Sequence, residues 1–294
     1  MKLLLDCYPC TLKQALQTAN LLRLEDEQTQ NVLDYCMQLL LARTGETTPL
    51  HITTDLYSYI HKTFFPEREV FDPYREIKHE TNRIALSCYP QLEQLMAEST
   101  TPLETALKIA AAGNIIDFGV ADHRHFDIAQ EIRSINNLKF SLYDYSQLKE
   151  MLSTARTLLY IGDNTGEIVF DRILIRYLKT VYPALAVTFA VREKPIINDA
   201  TLDDAYAAGL HNDATLISSG CIFPGTFMKE TSDHFQSLFH SADIIIAKGQ
   251  GNFEGLSDEQ NEHLFFILRI KCEQVAKKIG AENGSLILWQ KHSH

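Results

Sequence analysis

Six short apolar runs, at 158–161, 186–191, 215–217, 244–247, 265–268 and 286–289, constrain the fold of this chain more than any other feature. Each is too short for a helix, and all but the last are followed by a polar turn and an amphipathic stretch. Strands that alternate with helices build a mostly parallel sheet covered on both faces, because each crossover must pass over a face to reach the next parallel strand. The expected fold class is therefore α/β, with a doubly wound, mostly parallel sheet. Such sheets bind ligands beyond the carboxyl ends of their strands, where the strand order reverses.

The first 110 residues have a different texture. Apolar residues recur there at helical spacing, as in Leu12, Ala15, Leu16 and Ala19 and again in Val32, Leu33, Cys36, Leu39 and Leu40. Gly45 is the only glycine before Gly113, and Pro9, Pro66, Pro73, Pro90 and Pro102 open or punctuate helical stretches. The expected organisation is a helical bundle or cap over residues 1–110 and an α/β domain carrying the chemistry over residues 111–294.

With 27 Lys and Arg against 38 Asp and Glu, the formal charge is −11. So acidic a surface repels phosphate backbones and anionic lipid, which argues against nucleic-acid and membrane-surface partners. Small anionic substrates stay open, because a bound cation or a few basic residues reverse the field locally. No segment reaches the roughly 18 apolar residues that span a bilayer. The apolar run at the amino terminus meets Asp6, too early for a secretory signal. The six cysteines are sparse and are expected to stay reduced, in a cytoplasmic protein.

The turns after the strands carry the chemistry. The first run leads into Gly162-Asp163-Asn164-Thr165-Gly166-Glu167, and the second into Arg192-Glu193-Lys194-Pro195 and on to Asn198-Asp199-Ala200-Thr201. The fourth leads into Lys248-Gly249-Gln250-Gly251-Asn252-Phe253-Glu254. In a doubly wound sheet all three open at one edge. Asp163 and Asp199 then offer carboxylate oxygens and Asn164 an amide oxygen, hard donors suited to Mg²⁺ or Mn²⁺. Two carboxylates balance one divalent cation and leave it Lewis-acidic toward phosphate oxygens. Lys248 can set an ammonium on a phosphate, and the glycines beside it let backbone N–H groups approach the same anion. These are the parts of a phosphoryl-transfer site, where charge stabilisation carries the catalysis. Taken singly, Asp163-Asn164 reads first as a helix N-cap and Gly249-Gln250-Gly251-Asn252 as a tight turn. Their joint placement after three strands favours a site.

On these residues the chain resembles the damage-control phosphatase family, also called acidic-residue-methyltransferase-like and formerly filed as a domain of unknown function. The likeness is carried by the segment 162–171, by Lys194-Pro195-Ile196-Ile197-Asn198-Asp199-Ala200-Thr201 and by the segment 248–254. Asp72-Pro73-Tyr74 with Lys78 and Asn82, Gly113-Asn114-Ile115-Ile116-Asp117-Phe118-Gly119 and Cys7-Tyr8-Pro9-Cys10 are similar to its prokaryotic branch. The resemblance implies a helical N-terminal region on a Rossmann-like core. It also implies metal-dependent hydrolysis of small phosphomonoesters of damaged or surplus metabolites, such as sugar phosphates, nucleotides or phosphopantetheine-like compounds. The implied ligands of a divalent ion (Mn, Mg, Co or Ni) are Asp163, Asn164 and Asp199, and Lys248 is the implied phosphate-facing lysine. Asn114, Asp117, Glu167, Arg192, Gly249 and Asn252 are the implied substrate-facing residues. The attacking group, a water or a nearby carboxylate, is left open.

Other readings stand beside this one. A carboxyl methyltransferase using S-adenosylmethionine would place its nucleotide loop at Gly162-x-x-x-Gly166 and a ribose-binding acid at Glu193, although a third glycine at Rossmann spacing is missing. A haloacid-dehalogenase phosphatase expects Asp-x-Asp, which Asp163-Asn164-Thr165 does not supply. A phospho-ligand binding module would keep the pocket without turnover. Cys7-x-x-Cys10 is either a pair with one thiol of lowered pKa at a helix start or two partly buried thiols on a first turn. His123 and His125 read as surface or pocket rim, and His292 and His294 as a frayed end.

Overall fold

Six helices come first: α1 (Cys7–Leu21), α2 (Asp26–Leu41), α3 (Pro49–Phe64), α4 (Arg75–Ser87), α5 (Tyr89–Ala97) and α6 (Pro102–Gly113). The structure, a computed structural model, describes residues 1–113 and 132–291. Helix starts follow local chemistry. Pro49 opens α3 behind Thr48, whose hydroxyl accepts the His51 N–H at 3.3 Å. Asp26 and Glu27 sit in the first turn of α2, at the positive end of its dipole. Helices α1 to α3 bury a core of their own around Ala15, Ala19, Val32, Cys36, Ile52, Leu56 and Ile60.

The sheet elements follow: β1 (Phe140–Tyr143), α7 (Tyr145–Leu152), β2 (Thr157–Ile161), α8 (Glu167–Val181), β3 (Ala186–Val191), α9 (Leu202–Ala207) and β4 (Thr215–Ser218). Then come α10 (Asp233–Ser241), β5 (Ile244–Lys248), α11 (Gly249–Leu256), β6 (Leu264–Arg269), α12 (Glu273–Ile279) and β7 (Leu286–Gln290). Among the described residues the sheet has seven strands, ordered β1-β7-β6-β5-β2-β3-β4. Every pairing is parallel except β6 with β7. The chain thus forms the expected α/β architecture with a helical N-terminal region.

The six apolar runs coincide with β2 to β7, and their alternation sorts the two faces. Leu158, Tyr160, Val187, Phe189, Ile244, Ile246, Phe265 and Ile267 pack toward α4, α5, α6 and α8. Leu159, Ile161, Ala190, Ile245, Ala247, Phe266 and Leu268 pack toward Phe235 and Phe239 of α10, Phe253 of α11 and Val275 of α12. Central strands buried on both faces read as unbroken apolar runs, which is why they were legible. Edge strand β1, Phe140-Ser141-Leu142-Tyr143, alternates between half-buried and exposed positions and carried no such signal.

From β2 the chain steps through β3 to β4, then returns to place β5 on the other side of β2. The order therefore reverses between β2 and β5, and the crevice for a ligand opens beyond their carboxyl ends. Asp163 follows β2, Arg192 follows β3, and Lys248 ends β5. Among the described residues no helix is long and apolar enough to cross a membrane.

Candidate functional site

The loops after β2 and β3 are laced together by their backbones. Asn164 and Asp199 form an isolated antiparallel bridge, the Thr165 N–H donates to Asn198 O at 3.0 Å, and the Ala200 N–H donates to Asp163 O at 2.8 Å. The second loop turns at Ile197, a β-branched residue at φ +40°, in the left-handed region that normally costs such a residue about 1–2 kcal/mol. Ile196, beside it, is buried in the α1–α3 core, which anchors the turn. Strain held in place by surrounding packing is a feature of functional sites.

This lacing sets two buried carboxylates against one guanidinium. Arg192 Nε donates to Asp199 Oδ2 at 2.8 Å, and its Nη2 stands 3.7 Å from Asp163 Oδ1. The same guanidinium donates to Thr226 Oγ1 at 2.9 Å and to Asn252 Oδ1 at 2.8 Å. Burial pushes Asp163 well above the usual carboxylate range, Asp199 and Glu167 push it further, and Arg192 only partly opposes them. Burial raises Asp199 too, against the pull of Arg192. Asn164 lies beside them, its Nδ2 donating to Asp163 Oδ2 at 2.8 Å and lying 3.4 Å from Glu167 Oε2.

Among the described residues no three His, Cys, Asp or Glu side chains converge as a ready cage for a metal. The donors here are two carboxylates and an amide, all of them oxygen donors once Asn164 turns its Oδ1 inward. Two buried carboxylates with one shared cation lack positive charge. That donor set and that deficit fit a hard divalent ion.

Lys248 is fully buried and all three of its N–H donors are engaged. They reach Ala110 O at 2.9 Å, Glu167 Oε1 at 2.7 Å and Asp171 Oδ1 at 2.5 Å. Ala110 supplies its carbonyl from the last turn of α6, where carbonyls have no partner within the helix. The small residues Ala110-Ala111-Ala112-Gly113 let that turn press against α8, where a β-carbon on Gly113 would lie 3.0 Å from Phe170 Cβ. Burial alone would lower the Lys248 pKa, but Asp171 and Glu167 overcome it and raise it.

Further residues hold the loops. Asn252 is buried with oxygen and amide both engaged, its Nδ2 donating to Gly162 O at 3.0 Å and Lys248 O at 2.7 Å. Asn82 of α4 accepts the Gly166 N–H at 2.7 Å and donates to Asp204 O at 3.2 Å. Buried Lys78 pairs with Asp204 at 2.7 Å and Asp72 at 3.1 Å. The Asp72, Lys78 and Asn82 motif therefore braces the Asp163 loop from behind.

The family model for the damage-control phosphatase ARMT1-like domain matches residues 3–287. The chain belongs to this family. It is 32% identical over 98% of its length to a damage-control phosphatase of Archaeoglobus fulgidus, covering 98% of that protein. It is 37% identical to a damage-control phosphatase of Pyrococcus horikoshii over 74% of each chain. An uncharacterised protein of Methanocaldococcus jannaschii is 32% identical over 97% of this chain and 94% of its own. A crystal structure from Pyrococcus horikoshii, described as a DUF89 family protein, superposes with a TM-score of 0.89 at 30% identity, covering 99% of this chain and 100% of that one.

Within this ARMT1-like chain, Asp163, Asn164, Asp199, Glu167, Arg192, Lys248, Gly249 and Asn252 come together at the β2–β5 switch point. Asn114, Asp117, His123, His125, His292 and His294 lie outside the described residues. Asp171 and Tyr160 also belong to the site, beyond the residues expected from the sequence. The signal was available: Asp171 is the one acid in the apolar stretch after Glu167, one turn on and on the same helix face. Cys7 does open α1, yet burial raises the Cys7 and Cys10 thiols instead of a helix start lowering them. A cleft of about 570 Å³ opens between α3 (Thr54, Tyr57, Ser58, His61) and the outer side of the loop that carries Asp199 (Glu193 to Ile196). None of the site carboxylates lines it.

Proposed function

We propose that this chain is a metal-dependent phosphatase acting on small phosphomonoester metabolites, with the scissile phosphate bound at the β2–β5 crevice. The observation that carries the reading is the pair Asp163 and Asp199, both buried and sharing the single guanidinium of Arg192. Asp163, Asp199 and Asn164 would hold a divalent ion, Mn, Mg, Co or Ni, which supplies Lewis acidity toward the phosphate oxygens when bound. Arg192 fixes the Asp199 carboxylate through its Nε and is itself fixed by Thr226 and Asn252, so that carboxylate is preorganised. Lys248 supplies positive charge at the other wall of the crevice. A phosphate that bonds to it takes one of the three N–H donors now held by Ala110, Glu167 and Asp171.

Damaged or surplus sugar phosphates, nucleotides and phosphopantetheine-like compounds are the proposed substrates. The methyltransferase reading is not favoured by any contact. Glu193, its ribose-binding acid, is exposed and accepts a hydrogen bond from Ser218 on β4.

Manganese binding followed by electron paramagnetic resonance tests the assignment, with S-adenosylmethionine in a parallel thermal-shift arm. The expected result is one bound ion per chain, lost in Asp163→Ala, and no shift with S-adenosylmethionine. Stabilisation by S-adenosylmethionine with no manganese binding would overturn it.

A further inference from the structure

Lys248 can meet a phosphate only by giving up an existing partner. Of its three acceptors, Glu167 stands on the side of the cation ligands, with Oε2 3.4 Å from Asn164 Nδ2. Asp171 lies one helical turn further along α8, on the hydroxyl of Tyr160 from β2 at 2.7 Å. An ammonium drawn toward Asn164 keeps Glu167 within reach longest and loses Asp171. The abandoned carboxylate would be fully buried, with Tyr160 as its remaining donor among the described residues. Its Oδ2 already has no hydrogen-bond partner among the described residues. A carboxylate so placed is far more stable as the neutral acid.

We propose that Asp171 is a positioning residue that exchanges the Lys248 ammonium for a proton, so that binding of a phosphate group is coupled to uptake of one proton from solvent. The exchange balances as carboxylate plus H⁺ giving carboxylic acid, with Lys248 remaining an ammonium and no bond of the ligand made or broken. Among the described residues, the groups facing Asp171 are Tyr160 from β2, Lys248 from β5 and Glu167 from α8 itself, while α6 presents the carbonyl of Ala110 to Lys248. Even with Lys248 in contact, burial lifts Asp171 to about 7, and the nearby charge of Glu167 adds to the rise. Tyr160 is pushed well above its ordinary range by burial and by Asp171, so it stays a donor throughout. The inference rests on the phosphatase reading, since it takes a phosphate to be the group that draws Lys248 out.

The test is calorimetric titration of the full chain, supplied with Mn²⁺, with inorganic phosphate at about pH 8, where the anion is mainly dianionic. Buffers of different ionisation enthalpy then report the protons exchanged. The wild type is expected to take up about one proton per phosphate bound, with affinity falling by as much as about tenfold per pH unit above that pH. Asp171→Asn is expected to bind phosphate without proton uptake and with a flat pH dependence, and Asp171→Glu to restore the uptake. Should Asp171→Asn fail to fold, Tyr160→Phe replaces it. Removing that donor raises Asp171 further and moves the pH profile of phosphate affinity upward, and an unmoved profile overturns the proposal. Phosphate binding by the wild type without proton uptake, or equal uptake by Asp171→Asn, overturns the proposal and leaves the phosphatase reading standing. No phosphate binding by the wild type overturns both.

Discussion

Gly249 has no room for a side chain. Its φ is +77°, and a β-carbon there would lie 1.8 Å from Asp163 Oδ2. From the sequence, this glycine is expected to expose backbone N–H groups to an anion, and in the structure it also makes way for a carboxylate. Gly249→Ala is expected to displace Asp163, lowering divalent-ion affinity more than tenfold and stability by roughly 1–2 kcal/mol, read by metal titration and by urea melts. An unchanged metal affinity would show that Asp163 is not held as a ligand. Lys248→Met removes the cation from two buried acids, Glu167 and Asp171, and breaking such a set typically costs about 3–5 kcal/mol. The urea midpoint at neutral pH should fall accordingly, and the loss should shrink in acid, where the abandoned carboxylates are protonated.

Among the elements, α4 does more than cover the sheet. Asn82 ties the Gly166 N–H, at the head of α8, to the Asp204 carbonyl in α9. Asn82→Ala leaves a buried N–H and a carbonyl unpaired, a loss of roughly 1–3 kcal/mol. Because the affected loop carries Asp163, turnover should fall alongside stability, and a variant with lost stability but full turnover would show that the brace is structural only. The strands were legible because β2 and β5 are buried on both faces and read as continuous apolar runs. The residues binding one element to another were less so. Thr226 has no local pattern, since its partners Arg192 and Asn252 come from distant segments and only the fold brings them together. Asp163, Asp199 and Lys248 could be picked out because each follows a strand, and strand ends share an edge.

For the whole molecule, the buried acids make stability depend on pH in a defined direction. Asp171 rises from an ordinary 3.8 to about 7 in the fold, so the folded chain holds that proton more tightly than the unfolded one. Its contribution is therefore fully present below about pH 4 and is lost as pH rises through about 7, a change of a few kcal/mol. The melting temperature of wild type relative to Asp171→Asn should fall between pH 5 and 8, and a constant difference would contradict this. A divalent ion at Asp163 and Asp199 should oppose the charge deficit there. At a hundred times its Kd it should add about 2.7 kcal/mol, several degrees in Tm for a chain of this size.

Phosphate release from an aryl phosphate, with and without Mn²⁺, by wild type and by Asp163→Ala shown to be folded, tests the metal-dependent phosphatase reading. Metal-stimulated turnover is expected from the wild type and none from the variant. Undiminished metal-stimulated turnover in Asp163→Ala would contradict it.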